Sequence, residues 1–218
     1  MVTYDLAVNL WRSSEIVVVR DSGGRNIGLF PVAFIRDGGD DSWGYIFSVL
    51  TMLVDIPEGI SWSVKNDYGN IMSEGSSPVA GAYTMEMSVT APFSHGPEYF
   101  SAFQAPNPHG SIYQRILRID HDPPQFDVSF GLLLRDDLHH AFDRLDWSFY
   151  YKDGIMYTHF FDLSVLPDAR QLQGKPISPE TFRSLPEEYP DPRFLLWHYS
   201  QCVKAHIRGF SVGMNPPA

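Results

Sequence analysis

Over the first ninety residues, hydrophobic positions fall in short blocks separated by turn-forming residues, the spacing of a β-rich fold. EIVVVR (15–20) and NIGLFPVAFI (26–35) flank DSGGR, whose paired glycines supply the positive φ that a tight turn requires. The two blocks are read as a hairpin. SWGYIFSVLTMLVDI (42–56) is too long and too apolar for a strand. Ser42 is placed to cap it and Pro57 to stop it, which predicts a buried helix. ISWSV (60–64) and AYTMEMSV (82–89) are read as further strands between Asn, Gly and Ser turns.

The pattern changes after Thr90. APFSHGPEYFSAFQAPNPHG (91–110) mixes Pro, Gly, His and aromatic residues without a period and is read as a long irregular connection. SIYQRILRI (111–119) is a short amphipathic element, followed by the acidic turn DHDPP. A strand-like LLL (132–134) then passes into a short helix, DDLHHAFDR, with Asp136 and Asp137 near its positive end. WSFYY and IMYTHFF read as two strands joined by KDG. In the closing stretch, 191–209, Asp191 is placed as N-cap, Pro192 at the first helical position and Gly209 just past the end. Phe194, Trp197, Gln201, Cys202 and Ala205 recur there at helical spacing, which predicts the face docked on the core.

Composition narrows the function classes. In 218 residues, 44% hydrophobic and 14% aromatic against 19% charged, there is apolar wall enough for one core and a pocket. The expectation is a single α+β domain over 1–218, with a β-rich half (1–89) carrying one buried helix and a second half (90–218) ending in the closing helix. The net charge of −10 lacks the basic surplus that phosphate binding draws on, so no nucleic acid is expected as partner. No apolar run approaches the ~20 residues of a membrane span, and the N-terminus has no leader pattern. One cysteine, Cys202, permits no internal disulfide. An intracellular, cytoplasmic protein is the expectation.

All eight histidines lie at or beyond His95, so imidazole chemistry belongs to the second half. There, GLLLRDDLHHAFDRLDWSFYYKDG (131–154) resembles the distal part of the HNH nuclease motif in the version common in fungal proteins. In that family an Asn precedes Gly-Leu-Leu-Leu, a helix carries Leu-His-x-x-Phe-Asp, and a hairpin follows. Leu138, His139, Phe142 and Asp143 match. The front hairpin, apolar helix, strands and closing helix ending at Arg208 and Gly209 are similar as well. The resemblance implies a ββα-metal core inside the α+β fold.

The family's chemistry needs an upstream His as base, an Asn to orient it and a helix His for a divalent metal. Here His139 stands at the metal position. Phe130 replaces the Asn, and FQAPNPHGSIY (103–113) lacks the base at its place, with His109 a few residues on. Neither a resident metal nor another cofactor is expected. The resemblance implies instead a degenerate fold of the kind recruited in fungal secondary metabolism as cofactor-free isomerases and cyclases, including pericyclases of Diels-Alder type. The expected substrate is an apolar small molecule.

For such a site the candidate catalytic residues are His139, Tyr113 and His109. The candidate substrate wall is Phe100, Phe103, Phe130, Trp147, Tyr150, Tyr157 and His159. Each has a plainer reading beside it. His139 shares a helix face with Asp143 and can serve as a structural histidine bonded to it. His159 on an aromatic strand face, and His198 on the closing helix, suit packing; His206 suits the helix C-terminus. A metal-dependent nuclease and a non-catalytic binding protein remain the alternatives.

Overall fold

A computed structural model describes residues 15–88, 94–95, 116, 118, 132–182 and 189–207. It has both strands and helices, in mixed and antiparallel sheets, and is an α+β protein. Contacts divide the chain into two compact units, 1–96 together with 203–218, and 97–202.

In the first unit β1 (Ile16–Arg20) and β2 (Asn26–Pro31) form the expected antiparallel hairpin. Gly24 supplies the positive φ, +81°. The turn is held by Asp21, whose buried carboxylate accepts from the Arg25 backbone N–H at 2.8 Å and from its Nε at 2.6 Å. β4 (Trp62–Asn66) and β5 (Gly81–Met87) are also antiparallel, and β5 runs parallel to β1, giving the mixed order β2-β1-β5-β4. Strand alternation places Val17, Val19, Phe30, Val64, Tyr83 and Met85 in the core.

Against this layer lies α2 (Trp43–Leu53), with the Trp43 ring edge-on to Tyr83 at 4.6 Å and Phe47 edge-on to Trp62 at 5.4 Å. Ser42 is the N-cap, its hydroxyl accepting from Tyr45 N–H. Two boundaries differ from the expectation. The block after Pro31 is a helix, α1 (Val32–Asp37), rather than more strand, with Phe34 and Ile35 buried and the Gly38 N–H closing on the Phe34 carbonyl. The α2 helix stops at Leu53, because Val54–Asp55 (β3) is extended and pairs with Ser94–His95 (β6). That pairing also puts a strand inside the stretch read as irregular.

The second unit is built on β7 (Trp147–Lys152), β8 (Ile155–Phe160) and β9 (Pro176–Ile177), all antiparallel. Asp153 and Gly154 turn the β7–β8 hairpin with φ of +52° and +81°, the two positive values that a type I′ turn needs. Before the hairpin comes α3 (Asp136–Asp143), and after it α4 (Ala169–Leu172). The long α5 (Pro192–His206) follows; its residues from Val203 are assigned to the first unit. As expected, Asp191 caps α5, accepting from Arg193 N–H at 2.8 Å. The Arg193 guanidinium at 2.5 Å holds the Asp191 carboxyl below the usual carboxylate range.

Two further expectations change. Leu132–Leu134 is not a strand, and Leu133 is fully exposed. The inward stripe of α5 is Leu195, Tyr199 and Cys202, with Gln201 also buried; Phe194 and Trp197 are half-buried and Ala205 is exposed. The SIYQRILRI element lies outside the described residues apart from Ile116 and Arg118, as does Gly209.

One position tests the first core directly. A Cβ on Gly28 would lie 2.7 Å from the ring of Phe30, which is itself buried. Gly28→Ala is therefore expected to destabilise the protein by about 1–3 kcal/mol. The readout is a lower denaturant midpoint at unchanged slope; a midpoint equal to the parent's would show that the ring has room to move.

Candidate functional site

The Asp-Gly turn sets the register of the β7–β8 hairpin, and the register sorts its side chains onto two faces. Ser148 pairs with His159 and Tyr150 with Tyr157 on one face; Trp147 pairs with Phe160 and Phe149 with Thr158 on the other. Residues 147–150 are buried throughout, as they must be in a strand covered on both sides.

The Trp147 face is covered by α3. Phe142 meets Trp147 and Phe149 at ring distances of 5.3 and 6.1 Å, and Trp147 Nε1 donates to the Leu138 carbonyl at 2.8 Å. On the other face α5 brings Tyr199 against Tyr150 and His159. His159 Nδ1 and the Tyr199 hydroxyl are hydrogen-bonded at 2.8 Å, and Tyr150 stacks on the His159 ring at 4.8 Å. Tyr157, 6.4 Å from Tyr150, is half-buried, whereas His159 and Tyr199 are sealed.

α3 and α5 meet at His198. Its ring lies flat on Phe142, with centroids 3.5 Å apart and planes 5° off parallel. Nε2 is 3.1 Å from the Phe142 carbonyl, which can only accept, so Nε2 carries the proton and donates. Nδ1 then accepts from the Ser148 hydroxyl at 2.8 Å, with Cys202 Sγ at 3.7 Å from the same nitrogen. Burial drives the His198 pKa down to about 4, against an ordinary 6.5, so the ring is neutral at physiological pH. Burial also pushes the Cys202 thiol well above its usual range.

A hydroxyl facing an oriented, neutral imidazole has the connectivity of a nucleophile and its base. Ser148, however, has no exposed surface and Cys202 none either, so no substrate reaches this pair while α5 is seated. The arrangement is a clamp.

The candidate residues thus separate. Tyr150, Tyr157 and His159 share one sheet face, and Trp147 points to the opposite one. His139 lies on neither: its side chain is 55% exposed and pairs with Asp143 at 3.4 Å, while His140 pairs with Asp136 at 3.5 Å. Both face solvent, because the inward position of α3 is taken by Ala141. Phe100, Phe103, His109, Tyr113 and Phe130 lie outside the described residues.

Ser148 and Tyr199 were missed by the reading from sequence, which treated His198 and Cys202 as packing. A signal was available: the Asp-Gly turn sets Ser148 opposite His159, and His198 and Cys202 are four apart on one helix face. Among the described residues no three His, Cys, Asp or Glu side chains come together as a metal site, and no helix is long and apolar enough to cross a membrane. No family model, curated protein or solved structure matches the chain.

The His198 clamp makes a pH prediction. The unfolded chain takes a proton near pH 6.5 that the folded one refuses until about 4. The stability His198 contributes is therefore complete above 6.5 and is lost as the pH falls toward 4, on the order of 3 kcal/mol. Half-buried Asp146 works the other way: burial raises its carboxyl above 3.8, so its contribution is present below that value and fades as the pH rises through its folded value. His198→Gln is expected to flatten the plot of denaturant midpoint against pH between 6.5 and 4. An unchanged slope would assign the dependence to other groups.

Proposed function

We propose that the second unit is a degenerate HNH-like core recruited as a cofactor-free isomerase or cyclase acting on an apolar small molecule. The observation that carries the reading is the half-buried Tyr157 ring at the open end of the aromatic face, braced by the buried Tyr150 and, behind it, by the His159–Tyr199 hydrogen bond. An intramolecular cyclisation asks for a substrate folded into its reactive conformer and for a donor beside the group that gains charge. Rings locked by packing supply the first. For the second, the half-buried Tyr157 phenol is better placed than His139, whose partner is Asp143 on the solvent side of α3. His159 and Tyr199 hold the wall behind it. Phe100, Phe103, His109, Tyr113 and Phe130 are assigned to the same cleft on sequence grounds.

One observation favours a second reading, a metal-dependent HNH endonuclease. His139 and Asp143 present a nitrogen and an oxygen to solvent from one helix face, at the position where the HNH motif keeps its metal-binding histidine.

The two readings separate in one set of assays. Protein treated with EDTA is incubated with linear apolar polyene precursors that carry a diene and an activated alkene, and with supercoiled plasmid. The cyclase reading expects a product of unchanged mass and shifted retention. Turnover should fall about tenfold to a hundredfold in Tyr157→Phe and stay at the parent level in His139→Ala. Plasmid nicking that needs a divalent ion and disappears in His139→Ala, with no isomer formed, would replace this reading with the nuclease.

A further inference from the structure

Gln173 follows α4 and precedes Gly174, whose φ of +67° turns the chain into β9. This turn lies along the outer edge of β8. Thr158 donates its N–H to the Lys175 carbonyl at 3.0 Å and accepts from Gly174 N–H at 2.7 Å, and its hydroxyl donates to the Leu172 carbonyl. Both backbone groups of Thr158 therefore leave the strand on this edge. In an antiparallel ladder those of Phe160, two residues on, leave on the same edge.

Opposite Phe160 a side chain takes the place of the partner strand. Gln173 Oε1 accepts the Phe160 N–H at 2.6 Å. The bond settles which way the amide points, since the reverse orientation would set two donors against each other. Nε2 is consequently the inner end. It is sealed from solvent and has no hydrogen-bond acceptor among the described residues, and Gln173 as a whole is only 7% exposed. Leaving such a donor unmet costs about 1–3 kcal/mol. The neighbouring buried polar side chains Ser148, Thr158 and His159 each have a partner, so the inner end of Gln173 stands apart from them.

We propose that Gln173 Nε2 forms one wall of a small internal site for a neutral oxygen acceptor, with the Phe160 carbonyl on the same strand edge as its second polar contact. An amide without formal charge suits a neutral lone pair better than an ion. An ordered water or the carbonyl of a small organic guest offers that same lone pair, and water gains further by donating to the Phe160 carbonyl. The site stands whether or not the aromatic face turns over a substrate.

Nuclear magnetic resonance on the full-length wild-type chain tests this, with the Gln173 side-chain NH2 assigned through bonds. Cross-peaks from that NH2 to water, opposite in sign in NOESY and ROESY, would mark a long-lived bound water rather than hydrogen exchange, and would establish the site with water as its occupant. Titration with cyclopentanone is the second arm. A saturable shift of the Gln173 NH2 with loss of the water peak would show that the site also accepts an organic carbonyl. Absence of both, with only exchange peaks or none, would overturn the proposal, and neither arm bears on whether cyclisation occurs.

Discussion

The imidazole of His198 ties three elements of the second unit together. It lies flat on a ring of α3, donates to a carbonyl of α3, accepts from a hydroxyl of β7 and is carried by α5. The contact with Ser148 requires the neutral ring. A charged imidazole could not accept from Ser148, and it would bring an uncompensated cation into a site that burial has already made hostile to charge. The clamp also accounts for the cysteine: Cys202 sits one helical turn beyond His198, buried, its thiol directed at His198 Nδ1 and the Trp147 carbonyl.

A hairpin covered on both faces faces a stricter demand than one open to water, since every polar side chain on it must find a partner inside. Ser148 finds His198, His159 finds Tyr199, and Thr158 reaches the Leu172 carbonyl. The aromatic face proposed as a substrate wall is thus one product of the same constraint. Tyr150 and Tyr157 are held in place because the groups behind them are hydrogen-bonded and fully packed. A serine, a histidine and a cysteine brought together in this way have the look of catalytic machinery, and their burial makes them structural.

The places where pattern and structure part have a common cause. The blocks at 32–37 and 54–55 and the triple leucine at 132–134 are apolar runs too short for periodicity to tell helix from strand. The outcomes differ: 32–37 closes into a helix, 54–55 pairs as a strand with Ser94–His95, and the triple leucine is neither. On α5 the expected stripe followed Phe194 and Trp197, the more hydrophobic side chains. The observed stripe turns Tyr199, and much of His198, inward, because the hairpin offers polar partners that hydrophobicity does not register.

What the sequence determined by itself is local: the Gly-bearing turn at Gly24, the Asp-Gly turn at 153–154, the caps at Ser42 and Asp191, and with the second turn the whole register of the β7–β8 hairpin. These follow from φ preferences and nearby donors and acceptors, which a few residues contain in full. Tertiary structure decided which face of each element is buried, and that His159 is sealed and His198 largely buried while His139 points to solvent. Burial is a property of what packs against a residue, and those partners are distant along the chain, as Phe142 is from His198 by 56 positions.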